Sequence, residues 1–173
     1  QLLVPFSGTE YVLSLRRNSA WAICNLCRGD PPPTQEFTEA MIPILADLLT
    51  CDDLDMQSEA CWALSYLAED PPQMRIIMEA GICAETVALL MSQRRLIMKP
   101  ALRLVGFAVC GSNEQAQQMI DAGCIPPLKA LLTSDASEDI KKEVCYALSN
   151  ITAGCSEQIQ AVMEAGITEM LTA

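Results

Sequence analysis

Apolar residues recur at helical spacing along most of this 173-residue chain, and the pattern itself repeats at a nearly constant interval. The four clearest copies are AWAICNLCRG (20–29), CWALSYLAED (61–70), LRLVGFAVCG (102–111) and CYALSNITAG (145–154). Their equivalent key positions, 41, 41 and 43 residues apart, are Trp21, Trp62, Arg103 and Tyr146. Such repetition predicts units that stack on their neighbours, because one unit alone cannot bury its apolar face.

Each unit is predicted to contain three helices, which in the second unit lie near 36–49, 54–68 and 73–79. A period of 41 to 43 residues is typical of armadillo repeats. The predicted fold is therefore an all-α, right-handed superhelical solenoid of armadillo repeats, forming one domain over residues 1–173. Its predicted units are a partial repeat at 1–33, repeats at about 34–75, 76–115 and 116–158, and a partial repeat at 159–173.

Glycine and proline mark the predicted helix ends. A glycine follows an EA or DA pair in three copies, where left-handed backbone geometry commonly ends a helix, at Gly81, Gly123 and Gly166. The segments DPPP (30–33) and DPP (70–72) are predicted to end the preceding helices, because proline cannot continue a helix.

The helix that carries the key residue has one face that is apolar in every copy. This face holds the positions one, two and five residues after the key residue. They are Ala22, Ile23 and Leu26, then Ala63, Leu64 and Leu67, then Leu104, Val105 and Ala108, then Ala147, Leu148 and Ile151. We expect these twelve side chains to face the core.

The opposite face combines aromatic, amide and charged residues. We define the ladder as the key residues together with the residues four positions later: Trp21, Asn25, Trp62, Tyr66, Arg103, Phe107, Tyr146 and Asn150. The same face is predicted to carry Asn18, Cys24, Arg28, Glu59, Ser65, Glu69, Pro100, Gly106, Cys110, Glu143, Ser149 and Ala153. The recurrence favours a binding surface over a set of core residues.

The side chains of the ladder suit an extended, basic peptide. An asparagine amide offers the donor and the acceptor that a peptide backbone needs, and a small residue beside it lets that backbone approach. Neighbouring tryptophans form slots for the stem of lysine or arginine, with cation–π attraction of about 0.5–2 kcal/mol. Carboxylates predicted at the ends of these slots are Asp55, Glu59, Glu69 and Glu143.

The net charge of −11 supports a basic partner and argues against nucleic acid, which requires clustered lysine and arginine. No apolar stretch reaches the roughly 18 residues of a membrane helix, so no membrane partner is expected. Nine cysteines without a histidine indicate free thiols in a reducing compartment, and neither a metal site nor a cofactor is predicted. An enzyme using one of these thiols remains a competing hypothesis, which the missing histidine disfavours.

The strings WAICNLCRGDPPP, ACWALSYLAED and IKKEVCYALSNITAG resemble the armadillo core of the importin alpha family, whose members bind nuclear localisation signals. The resemblance covers essentially the whole chain and the register of the fourth to seventh repeats. It implies a non-enzymatic nuclear import adaptor that shuttles between cytoplasm and nucleus and binds signals along a concave surface. It also implies that importin beta binds through a segment preceding the repeats, outside these residues.

The resemblance carries over by position. Asn18, Trp21, Asn25 and Arg28 match the last Trp–Asn pair of the major signal site, and Trp62 and Tyr66 match the connecting repeat. Minor-site positions are matched by Arg103, Val109, Glu143 and Asn150. Phe107 and Tyr146 stand where the family usually has asparagine and tryptophan, which should weaken the minor site.

Two other hypotheses remain beside that of a signal-binding segment. One is an armadillo scaffold for acidic or hydrophobic partners other than import signals. The other is self-association through apolar ends, because solenoids need polar capping repeats for solubility.

Overall fold

The computed structural model describes residues 10–171, and all regular structure within this range is helical. Its helices are α1 (Glu10–Cys27), α2 (Gln35–Leu49), α3 (Leu54–Leu67), α4 (Pro71–Glu79), α5 (Cys83–Leu89), α6 (Arg95–Cys110), α7 (Asn113–Asp121), α8 (Ile125–Thr133), α9 (Glu138–Thr152), α10 (Ser156–Glu164) and α11 (Ile167–Leu171). Residues 1–9 and 172–173, at the outer ends of the two predicted partial repeats, lie outside the described range. None of the described helices combines the length and the apolar character needed to cross a bilayer.

Three helices of the second unit were predicted from the sequence, and the structure confirms each within two residues as α2, α3 and α4. Capping side chains set two of the beginnings. The Thr34 hydroxyl accepts a hydrogen bond from the Phe37 amide, and the Asp53 carboxylate accepts one from the Met56 amide. Prolines occupy the first turn of α4, where their missing amide hydrogen costs nothing.

The long helices α1, α3, α6 and α9 pack on one another in chain order and form the spine of the molecule. Helices α2, α5 and α8 cover one side of this spine by packing on α3, α6 and α9. Leucine, isoleucine, valine, alanine and cysteine side chains from all these layers form one continuous buried cluster. The arrangement is an α-solenoid, as the repeat predicted.

The three glycines predicted at helix ends do adopt left-handed geometry. Gly81, Gly123 and Gly166 follow α4, α7 and α10 with φ of 73°, 86° and 68°. Each lies one residue beyond an alanine that closes its helix. The turn redirects the chain into the next helix, which keeps successive units in the same orientation.

The chain before α2 differs from the equivalent places farther on. Residues 30–34, the proline segment, form no helix, whereas the short helices α4, α7 and α10 come directly before α5, α8 and α11. Buried polar contacts hold this segment: the Gln73 amide donates to the Pro33 carbonyl at 3.0 Å, and the Thr38 hydroxyl donates to Gln73 Oε1 at 2.9 Å. The amide of Gln73 thereby fixes the proline segment beside the spine.

Candidate peptide-binding surface

All eight ladder residues lie at accessible positions of the four spine helices. Trp21 and Tyr146, near the two ends, are 60% and 54% exposed. The half-buried members are Asn25, Trp62, Tyr66, Arg103, Phe107 and Asn150. Residues four apart share a helix face, and the spine helices pack side by side, so the pattern places these side chains in a row.

Aromatic and cationic contacts join α1 to α3 along this row. The rings of Trp62 and Tyr66 stack with centroids 5.7 Å apart and an interplanar angle of 26°. The guanidinium of Arg28 lies 6.0 Å from the Tyr66 centroid and donates a 3.4 Å hydrogen bond to Asn25 Oδ1. The four side chains form one connected surface across two helices.

Arg103 continues the row from α3 to α6. Its guanidinium carbon lies 5.8 Å from the Tyr66 centroid and 5.5 Å from the Phe107 centroid. Its Nη2 forms an ion pair with Glu69 Oε1, while its Nε is buried without a hydrogen-bond partner among residues 10–171. The Arg103 side chain therefore contacts groups from α3 and α6 together with Glu69, two residues beyond the end of α3.

The connection from α6 to α9 is polar. The Tyr146 hydroxyl lies 3.5 Å from the exposed Cys110 thiol. Asn150 Nδ2 is buried without a hydrogen-bond partner in the described part of the chain. An unpaired amide donor at a ladder position has the chemistry to donate to a peptide carbonyl.

The four carboxylates predicted beside the slots differ in their surroundings. Asp55 lies 3.4 Å from Arg17 and its side chain is 70% exposed, whereas Glu69 is paired with Arg103. Glu59 is half-buried next to Cys24. The pKa of the Cys24 thiol is raised to about 12, mainly because the thiol is buried and also because of its hydrogen bond with the Glu59 carboxylate. Glu143 is exposed on α9. Of the four, only Glu69 is held by a cation that is itself a ladder residue.

Several positions predicted to be accessible are buried. Val109 is 3% exposed and Cys24 is 7% exposed, and Ser65, Pro100 and Gly106 are buried as well. Positions three and six after the key residue face the next spine helix, so they are buried in α1, α3 and α6. In α9, the last spine helix described, the same positions are exposed, at Ser149 and Thr152. Position three of α1, α3 and α6 therefore faces a neighbouring helix and is not open to a peptide backbone.

Two residues of α1 that were predicted to face the core are exposed instead. Leu26 is 58% exposed and Ala22 is also exposed, whereas the equivalent positions in α3, α6 and α9 are buried. Positions one and five face the preceding spine helix, and α1 is the first helix of the described stack. Of the three predicted core positions, position two is the one that is buried in all four helices, at Ile23, Leu64, Val105 and Leu148.

The sequence did not predict a pocket of about 420 Å³ next to the ladder. It lies where α1 ends, between the proline segment and the beginning of α4. Its lining residues are Cys27, Arg28, Gly29, Pro32, Pro33, Tyr66, Leu67, Glu69, Asp70 and Gln73. The sequence feature that could have indicated this pocket is the proline segment. It forms no helix, so it leaves open the space that a short helix fills before α5, α8 and α11.

Comparisons with known proteins agree with this architecture. The Armadillo/beta-catenin-like repeat model matches residues 30–69 and 112–153. Importin subunit alpha-1a of Oryza sativa subsp. japonica is 44% identical over 156 residues, or 90% of this chain and 30% of that protein. Importin subunit alpha-4 of Arabidopsis thaliana is also 44% identical over 156 residues, with 90% and 29% covered. The chain thus spans less than a third of either subunit.

A solved structure of a designed protein supports the same fold. A designed armadillo repeat protein in complex with the peptide (KR)4 superposes with a TM-score of 0.80 at 31% identity. The match covers 96% of this chain and 69% of the designed protein. That protein is similar to this chain in sequence as well as in backbone course.

Proposed function

Because this chain belongs to the armadillo-repeat family, a family of non-enzymatic binding scaffolds, we propose that it binds extended basic peptides along the ladder. In this proposal it is a segment of a nuclear import adaptor, and its ligands are the lysine- and arginine-rich localisation signals of cargo proteins. The importin alpha relatives motivate the transport role, and the designed relative carries a peptide of alternating lysine and arginine.

The observation that carries the proposal is that the face carrying the ladder is continuous across the four spine helices. Contacts run from Arg28 to Tyr66, from Tyr66 to Arg103 and from Cys110 to Tyr146. Packed helices lie about 8–10 Å apart. An extended peptide rises about 3.3 Å per residue, so successive helices can each address every second or third peptide residue.

Each proposed contact has a physical role. Trp21 and Trp62 provide aromatic faces for lysine or arginine stems, and Asn25 provides backbone hydrogen bonds. Asp55 and Glu59, on the same helix as Trp62, attract the cationic ends there, and Glu143 does so on α9, three residues before Tyr146. Asn18 is exposed one turn before Trp21 and extends the amide row.

The proposed adaptor works in both cytoplasm and nucleus. Importin beta would bind it through a segment outside these residues. The alternative function, a scaffold for partners that are not basic signals, would use the same solenoid without needing the tryptophans. The two functions therefore differ in their dependence on Trp21 and Asn25.

The test is a fluorescence anisotropy titration of a labelled (KR)4 peptide at 0.15 M salt, with a glutamine-substituted peptide as ligand control. We expect saturable binding of the basic peptide only. Trp21→Ala should weaken it about tenfold by removing an aromatic slot wall. Asn25→Ala should weaken it about fivefold by removing one hydrogen-bonding amide.

Leu26→Ala is the matched control variant, because Leu26 is an equally exposed large side chain on the same helix but off the ladder. Its affinity should equal that of the wild-type chain. Equal losses in Leu26→Ala and Trp21→Ala, or binding that ignores the peptide's charge, would contradict the proposal.

A further inference from the structure

The surroundings of Arg103 are those of a bound cation. Two aromatic rings, Tyr66 and Phe107, have their centroids 5.8 Å and 5.5 Å from its guanidinium carbon. The carboxylate of Glu69 closes the group through an ion pair. We define Tyr66, Phe107 and Glu69 as the cation cage. Cages of this composition bind guanidinium and ammonium groups of ligands.

We propose that Arg103 acts as an internal ligand that fills the cation cage and thereby closes the α6 position of the ladder to peptide cations. This inference rests on the proposed function as far as the peptide is concerned. Tyr66 is on α3, Phe107 is on α6 and Glu69 lies two residues beyond α3, so their convergence is a property of the fold.

The charged groups around Tyr66 also oppose the binding of a peptide cation. The guanidinium carbons of Arg28 and Arg103 both lie within 6.0 Å of the Tyr66 centroid, and the Glu69 carboxylate is already paired with Arg103. A peptide lysine entering this region would face two guanidinium groups and an already occupied carboxylate. Repulsion between like charges therefore excludes cationic peptide side chains at α6.

Phe107 is the specificity-determining residue in this account, because it supplies the ring that lies nearest to the Arg103 guanidinium. The Arg103 side chain is 37% exposed and its Nε is buried, so these contacts cover most of the side chain. An aliphatic residue at 107 would preserve bulk while removing the π-face.

The test removes the internal ligand and asks whether an external one replaces it. Arg103→Ala should bind (KR)4 about threefold to tenfold more tightly than the wild-type chain, because an empty cage admits a peptide side chain. The double variant Arg103→Ala/Phe107→Leu should lose that gain. Arg75→Ala is the charge control, since it deletes an exposed arginine of α4 away from the ladder.

A second readout does not depend on peptide binding. Ethylguanidinium at millimolar concentration should raise the Tm of Arg103→Ala relative to its effect on the wild-type chain, and should not do so in the double variant. A gain in Arg103→Ala no larger than that of Arg75→Ala, or one that persists in the double variant, would overturn the proposal.

The two proposals fail in distinguishable ways. If no variant binds the peptide but ethylguanidinium selectively stabilises Arg103→Ala, the peptide function is wrong and the cation cage stands. If the wild-type chain binds the peptide through Trp21 and Arg103→Ala responds to neither ligand, the cage is wrong and the peptide function stands.

Discussion

The guanidinium of Arg17 donates two hydrogen bonds to one carboxylate oxygen of Asp53, at 2.9 Å from Nε and 2.7 Å from Nη2. Arg17 is on α1 and Asp53 immediately precedes α3, so the pair joins the first two spine helices. Asp53 also caps α3 by accepting a hydrogen bond from the Met56 amide. One carboxylate thus serves the beginning of a helix and its packing on a neighbour.

Asp53→Ala should lower the free energy of unfolding by about 1–2 kcal/mol, because it removes both the helix cap and the ion pair. Urea denaturation followed by circular dichroism measures this change. Asp55→Ala is the control, since Asp55 also approaches Arg17 but is 70% exposed and caps nothing. An equal cost for both substitutions would contradict the assignment of the cap to Asp53.

The Asp53 contribution should depend on pH in a defined sense. Its hydrogen bonds with Arg17, above all, hold the pKa of the Asp53 carboxyl below its usual value. The stabilisation is therefore complete above the unfolded-state pKa of about 4 and is lost as pH falls through the lower folded-state pKa. The difference between wild type and Asp53→Ala should narrow in acid; a difference that widens below pH 4 would refute this.

Two glycine substitutions should have opposite signs. A Cβ at Gly123 or at Gly106 would meet no atom within 4 Å, so backbone conformation alone decides the outcome. Gly123→Ala should destabilise by about 1 kcal/mol because φ is 86°, in the left-handed region. Gly106→Ala, within α6, should stabilise by about 0.5–1 kcal/mol. Thermal unfolding of the two variants tests the pair, and changes of the same sign would contradict it.

Alkylation should be faster at the exposed cysteines than at the buried ones. Burial raises the pKa of the thiols of Cys27 and Cys61 to about 12, which suppresses the reactive thiolate. Cys110 and Cys145 are exposed. Brief iodoacetamide treatment of the native chain followed by mass spectrometry should label Cys110 and Cys145 first. Early labelling of Cys27 or Cys61 would show that the spine opens under native conditions.

The sequence was sufficient to predict the solenoid and the accessible ladder positions, because both follow from periodicity within each helix. Periodicity could not indicate which side of a spine helix meets the next helix and which meets the preceding one. Periodicity therefore predicted Cys24 on the surface and Leu26 in the core, and both predictions are wrong. Val109 was implied as a minor-site residue by the family resemblance, and it is buried.

Contacts between distant residues were also beyond sequence reasoning. The repeat identified Arg103 as a key position, but its enclosure by Tyr66, Phe107 and Glu69 depends on how α3 and α6 pack. Arg17 and Asp53 are separated by 36 residues, and neither belongs to the repeated pattern that identified the ladder. Only the packed structure brings such pairs together.

The most direct test of the peptide-binding claim follows the two tryptophan indole N–H signals by NMR while unlabelled (KR)4 is added to the ¹⁵N-labelled chain. The chain contains two tryptophans, Trp21 and Trp62, and Trp21→Phe assigns their signals. If the ladder binds the peptide, both signals shift and give the same dissociation constant. Binding that leaves both indole signals unmoved while backbone amides of α4, α7 and α10 shift would contradict the account.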